Sequence, residues 1–189
     1  MQIDFHKNRG ASIPLESEGK QFEVVKSAKI LGLTVREDLK WNDHINNVTV
    51  KASQRVYLSK QLKGADIDCI SLIQFCACIR SVLEYACQSF HSSLPAYLSD
   101  QLERIQKRSL RVIFPDLGYS EALTKSSMST FQDRRELLCR KLFMEIVDNK
   151  GHKLHQLLPP LNAITYKTRK SRKFSIPQFV RQRDFQVLL

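Results

Sequence analysis

Chemistry on a phosphate or a nucleotide needs carboxylates clustered around metal ions, or a glycine-rich cradle for phosphate oxygens. The six glycines here (Gly10, Gly19, Gly32, Gly64, Gly118 and Gly151) stand singly, and no two aspartates are adjacent anywhere in the chain. Cys76 and Cys78 come nearest to a metal motif. Two residues apart on a helix they face opposite sides, and no second pair follows at zinc-finger spacing, so they are expected to serve as core thiols. His152 and His155 could bring two imidazoles to one side of a turn, but two ligands are too few to hold a metal, and a solvated helix end is expected there. Asp43-His44 has the look of an acid–base pair, yet Asp43 is well placed to cap a helix with His44 in its first turn. No catalytic residue, metal site or cofactor is expected.

The remaining chemistry is that of positive charge. Arg104, Arg108 and Arg111 recur at spacings of four and three, Lys107 widens the row, and no acid follows Glu103 before Phe114-Pro115. Such a face has the spacing and sign to pair with backbone phosphates without reading bases. A second basic group, Lys167, Arg169, Lys170, Arg172 and Lys173, lies near the end of the chain. Phe174, Phe179 and Phe185 interleave with this tail and could stack on unpaired bases or dock on a core.

The elements that position these residues follow from periodicity. Between Gln21 and Val35 the pattern is strand-like, with Gly10, Pro14 and Gly19 as punctuation, which predicts two or three short strands. After Trp41 the period becomes helical: Ile45, Val48, Ala52, Val56 and Leu62 share a face from about Asp43 to Lys63, and Gly64 ends the run. A second helix, from near Asp66, is apolar on nearly every side, the pattern of a helix surrounded by others. Only Cys69 to Ile79 is free of charge within it, less than the roughly 20 apolar residues a membrane span needs. Pro95 opens a third helix, amphipathic, with Leu98, Leu102, Ile105, Ser109 and Val112 inward and the arginines outward. A linker with Gly118 and a Ser/Thr cluster leads to a fourth, through Phe131, Leu138, Leu142, Phe143 and Ile146 to about Asp148.

The fold class expected is therefore mainly α: a short N-terminal β element, a bundle of about four helices, and a basic, largely disordered tail. The boundaries expected are 1–41 for the β element, 42–114 for the main helical region, 115–158 for a linker and further helix, and 159–189 for the tail.

Bulk composition agrees with a folded, basic protein. The 189 residues are 42% hydrophobic, enough to fill one helical core, and 30 Lys and Arg against 19 Asp and Glu leave a formal charge of +11. That balance favours polyanions. Five cysteines, four of them in one apolar stretch, predict reduced thiols used as small core residues, hence the cytoplasm or nucleus. The N-terminus has no apolar leader, so export is not expected.

Several of these segments together resemble a known family. Lys29-Ile30-Leu31-Gly32-Leu33-Thr34-Val35, then Leu39-Lys40-Trp41-Asn42-Asp43-His44-Ile45, then a helix with Lys51 and Leu62, are similar to the region after the palm in LINE-like, non-LTR retrotransposon reverse transcriptases. Leu83-Glu84-Tyr85-Ala86 and Leu102-Glu103-Arg104-Ile105-Gln106-Lys107-Arg108 resemble the same family's thumb. The likeness covers most of residues 1–160. It implies a helical thumb gripping a template–primer duplex, with Leu31 and Gly32 on the primer side and a separate palm as a partner. The family's paired polymerase aspartates are missing, so two-metal phosphoryl transfer is not expected. Fingers and palm would lie upstream of Met1, and a truncated reading frame is the expectation.

Residues 2–50 also resemble the N-terminal segment of an AlkB-homologue family, whose full-length members pair a dioxygenase with a methyltransferase. Neither activity is implied here. None of His6, His44, His91, His152 or His155 begins a His-x-Asp or His-x-Glu motif, and a glycine-rich cofactor loop is missing.

The function expected is non-sequence-specific binding of an RNA–DNA hybrid or duplex backbone, without catalysis and without a membrane. The alternative is an interaction or decayed structural fragment with no nucleic-acid role, self-associating through exposed apolar surface, or one carrying the AlkB-homologue label without its catalytic residues.

Overall fold

The computed structural model describes residues 16–17, 19–21 and 25–159. The chain is mainly helical with short antiparallel β elements near its start, as its periodicity predicts. Two compact units emerge: residues up to Ala86 together with Leu94–Phe131, and Cys87–Ser93 together with the chain from Gln132.

In the first unit β1 (Glu16–Ser17) pairs with β2 (Lys20–Gln21), and β3 (Ser27–Ile30) pairs with β4 (Leu33–Arg36). The second pair is a tight hairpin in which Ile30 faces Leu33 across a two-residue turn. Leu31 and Gly32 both have positive φ, 46° and 86°, the conformation whose twist suits a two-residue hairpin turn. The short strands expected before Val35 thus include a pair folded back on Leu31-Gly32.

Helix α1 (Asn42–Gly64) follows. Asp43 is not its cap, contrary to expectation: the N-cap is Trp41, with no side-chain bond. Asp43 instead sits in the first turn, where Arg36 Nη1 reaches its carboxylate at 3.3 Å and the helix dipole favours the negative charge. His44 is buried, as are Ile45, Thr49, Ala52, Val56 and Ser59, which turn one face of α1 inward.

Helix α2 (Cys69–Glu84) is capped by Asp68, which accepts from the Ser71 N–H at 3.0 Å and the Ser71 hydroxyl at 2.6 Å. The hydroxyl bond, then the N–H bond, hold the Asp68 carboxyl below the ordinary carboxylate range. The expectation of a helix surrounded on all sides fails. Only Leu72, Cys76, Ile79 and Leu83 are buried, while Ile70 remains 69% exposed. The cause is that the helices meeting α2, α1 and α3 (Ala96–Ile113), cover the side that carries Leu72, Cys76, Ile79 and Leu83. Cys69 and Cys78 are accordingly exposed rather than core thiols, whereas Cys76 is buried against Ser109 at 2.9 Å. The stretch Cys69–Ser89 is long and apolar enough to cross a membrane by length and composition. Arg80 and Glu84 form an ion pair at 3.3 Å within it.

Pro95 caps α3, its fixed φ suiting a helix start, and Phe114 ends it. Leu98, Leu102, Ile105, Ser109, Leu110 and Ile113 are buried, each apolar side chain contributing on the order of 1.5–3 kcal/mol. The supposed linker contains a helix the periodicity did not predict, α4 (Tyr119–Lys125). Its start is fixed by Glu121, whose carboxylate accepts from the Gly118 N–H at 3.1 Å. Leu72, Cys76, Leu110, Ile113, Phe114 and Ala122 close this core between α2, α3 and α4.

The second unit is built on α5 (Phe131–Asp148), with Cys87, Phe90, Arg135 and Ile146 buried. Burial raises the Cys139 thiol, while Arg135 and a hydrogen bond with Cys87 draw it back. His152 and His155 turn to local backbone rather than to one point. His152 Nδ1 accepts from the Leu154 N–H at 3.1 Å, and His155 Nδ1 lies 2.7 Å from the Ile146 carbonyl oxygen.

Candidate nucleic-acid interface

The basic face of α3 is built by helical spacing: a buried set, Leu98, Leu102, Ile105 and Ser109, forces the intervening Arg104, Lys107, Arg108 and Arg111 to the surface, and all four are exposed. Among the described residues no acceptor pairs with Arg104, Arg108 or Arg111.

Helix α3 carries two acids: Asp100 is exposed one turn before Arg104 and forms no ion pair with it, and Glu103 is occupied. Glu103 accepts a hydrogen bond from the Tyr119 hydroxyl and a second from the Phe131 N–H at 3.2 Å. Gln106, also buried, donates its amide to the Tyr119 oxygen and to the Ser129 carbonyl, both at 3.0 Å. Burial and then Glu103 push the Tyr119 hydroxyl well above its ordinary value, so it stays a donor. The carboxylate that would otherwise neutralise Arg104 or Lys107 is thereby drawn into an internal network.

The four cations do not share one surroundings. Lys107 holds its ammonium 5.1 Å from the centroid of the Tyr119 ring, on the α4 side. Arg104 and Arg108 face the other way, lining an open groove of about 640 Å³ between α1 and α3 with Thr49, Gln54, Tyr57 and Gln101. Gln101 bridges the two helices there, donating to Asn46 Oδ1 at 3.1 Å and Thr49 Oγ1 at 3.3 Å. Tyr57 and Val50 stand on the α1 rim, 65% and 59% exposed. Sequence reasoning missed this α1 rim. Its residues precede Arg104 by some fifty positions and join the arginines only through the packing of α1 on α3. A tyrosine on an otherwise outward position of α1 was the available signal.

Leu31 and Gly32 form the tip of the β3–β4 hairpin, with Leu31 86% exposed. The tip is held by Tyr85, whose hydroxyl donates to the Leu31 carbonyl at 2.8 Å. Lys167, Arg169, Lys170, Arg172 and Lys173 lie outside the described residues, as does the expected tail 159–189 apart from Pro159. Among the described residues no group of three or more His, Cys, Asp or Glu is gathered to hold a metal ion.

A mainly helical, basic protein with a cation-lined groove is the class this geometry defines. No protein-family model, curated protein or solved structure matches the chain.

Proposed function

We propose that this chain binds nucleic acid through phosphates, without sequence readout and without catalysis, as a helical module resembling the thumb of LINE-like reverse transcriptases. The observation that carries the reading is the exposed row of Arg104, Arg108 and Arg111, which no carboxylate among the described residues neutralises while Glu103 is held by Tyr119. Three guanidinium groups at spacings of four and three span about 10 Å of helix, a length along a duplex axis over which one strand places about three phosphates. Binding through such a face displaces counterions and weakens steeply as salt rises. A separate palm, contributed by another chain, is the partner the resemblance implies. The AlkB-homologue resemblance contributes no activity to this reading.

The test is a fluorescence-anisotropy titration of the full chain against an RNA–DNA hybrid, duplex DNA and single-stranded RNA at low and physiological salt. The variant with Arg104, Arg108 and Arg111 changed to Ala should lose affinity for every sequence alike. Unchanged affinity in a folded triple variant removes this face from the reading.

A second reading has its own observation. Ile70 on α2, with Leu137 and Met144 on α5, leaves large apolar side chains in the open, which fits association with another chain. Sedimentation at rising concentration separates the two readings, because the first requires no self-association.

A further inference from the structure

We infer that the groove between α1 and α3 takes an unpaired nucleotide, its base stacked on Tyr57 and its flanking phosphates paired with Arg104 and Arg108. This rests on the nucleic-acid reading and sharpens it, since that reading needs only a cationic face and no aromatic platform.

The groove combines three chemistries in one place. Tyr57 supplies a phenol ring with 65% of its surface exposed, although a ring of that size gains by burial and this one has found no cover among the described residues. Arg104 and Arg108 supply two guanidinium groups on the opposite rim, exposed and unpaired among the described residues. Gln54 and Gln101 supply amides. The Gln101 nitrogen is spent on Asn46 and Thr49, which fixes the side chain and leaves its carbonyl oxygen as an acceptor for a base edge.

Duplex nucleic acid would use only part of this. Its bases are stacked on one another, so Tyr57 would meet sugar and phosphate rather than a π face. A single strand offers base faces and phosphates alternately along its length, which is the pattern of an aromatic beside cations. The volume, about 640 Å³, lies within the roughly 300–1,000 Å³ of sites that enclose small organic groups, so one base with its sugar fits. Ile105, buried beneath Arg104 and Arg108, gives the groove an apolar floor. An anionic lipid surface would also meet the arginines, but a groove in which Gln101 is fixed beside an exposed ring suits a planar polar base better than acyl chains.

The experiment compares the wild-type chain with Tyr57→Ala and Tyr57→Phe, titrated against a labelled single strand of about 12 nucleotides, a length within the footprint of single-strand binders. The same-sequence duplex and phosphatidylserine vesicles are the other two arms. Tyr57→Ala should weaken single-strand binding roughly tenfold, the order expected for losing one stacked base, and change duplex binding less than about twofold. Tyr57→Phe keeps the ring and should bind the single strand like the wild type. Thermal melting of each variant should match the wild type, because the side chain is outside the core. Equal loss on single strand and duplex overturns the inference, as does no loss on either. Vesicle binding that Tyr57→Ala abolishes, with oligonucleotide binding untouched, overturns it in favour of a membrane. If none of the oligonucleotides binds at low salt, the broader nucleic-acid reading fails as well, and that outcome is distinct from a failure of Tyr57 alone.

Discussion

The Tyr85 hydroxyl donates to the carbonyl of Leu31 at 2.8 Å, joining the end of α2 to the tip of the β3–β4 hairpin across 54 positions of chain. The Tyr85 ring also lies against the turn: a Cβ on Gly32 would come within 3.1 Å of its edge. Because Gly32 has φ of 86°, a region L side chains rarely adopt, the turn, the missing side chain and the tyrosine are one arrangement.

Gly32→Ala should therefore destabilise the first unit by about 1–3 kcal/mol, combining positive-φ strain with the approach to Tyr85. Tyr85→Phe should cost less, about 0.5–1.5 kcal/mol, since only one hydrogen bond is lost. Denaturant midpoints of Gly32→Ala, Tyr85→Ala and the double variant of these two measure the coupling between turn and ring. Strictly additive effects would show that the ring does not restrict the turn.

The Tyr119 network makes a second prediction. Tyr119→Phe removes the donor that occupies Glu103 and the acceptor that Gln106 uses, leaving two part-buried polar groups short of a partner, a loss of about 1–3 kcal/mol. Glu103 keeps its bond from the Phe131 N–H, so the loss should appear in stability and leave the arginine row as it is. Alkali gives the sign from the other side. The folded Tyr119 is held above its ordinary value of 10.0 while the unfolded one is not, so stability present below about pH 10 is lost as pH rises past it. A pH-jump series on wild type and Tyr119→Phe checks this, the variant losing less at high pH.

Acid acts through His44. Its Nδ1 accepts from the Thr34 N–H at 3.3 Å, and burial, then the charge of Lys51, lower its proton affinity below the ordinary value of 6.5. The unfolded chain thus takes up a proton that the folded chain refuses. Stability is full above about pH 6.5 and falls as pH drops below it, no faster than about 1.4 kcal/mol per pH unit for this one group. His91, lowered by burial and then by Arg135, with Glu136 opposing, adds loss of the same sign. Melting temperatures between pH 8 and 5 should decline for the wild type and decline less for His44→Asn. An identical decline would assign the effect elsewhere.

Salt dependence tests the arginine row quantitatively. On duplex DNA each neutralised phosphate contributes about 0.9 to the slope of log affinity against log salt, so the triple arginine variant should lower that slope by up to about 3. Arg104→Ala alone should lower it by about 1. A slope that survives the triple change would place the phosphate contacts on other basic residues.

Much of the helical layout is legible in the residues because local periodicity carries it. Leu98, Leu102, Ile105 and Ser109 at spacings of four and three can turn to one side only on a helix, and that spacing sets the arginines on the opposite side before any partner is known. Pro95 marks the start of α3 for an equally local reason, its fixed φ. The short strands between Gln21 and Val35 were legible as strands, but that β3 and β4 fold back on each other at Leu31-Gly32, with Tyr85 holding the turn, belongs to the tertiary structure. Helix α4 escaped notice because seven residues carry too little period, although the Gly118-x-x-Glu121 spacing was a local cue.

Other features depended on which helices meet. The apolar composition of α2 is compatible with burial all round, but α1 and α3 cover only the Leu72, Cys76, Ile79 and Leu83 side, and so Cys69, Cys78 and Ile70 are exposed. The sequence by itself determined the charge, the helical periodicity and the outward row of Arg104, Lys107, Arg108 and Arg111, all of which are properties of neighbouring residues. Only the tertiary structure decided that Tyr119 occupies Glu103, that Lys107 parts from Arg104 and Arg108, and that Tyr57 joins those two arginines in one groove. The physical reason is that side chains distant in sequence meet through the packing of α1, α3 and α4, and burial and pairing energies belong to those meetings rather than to any one segment.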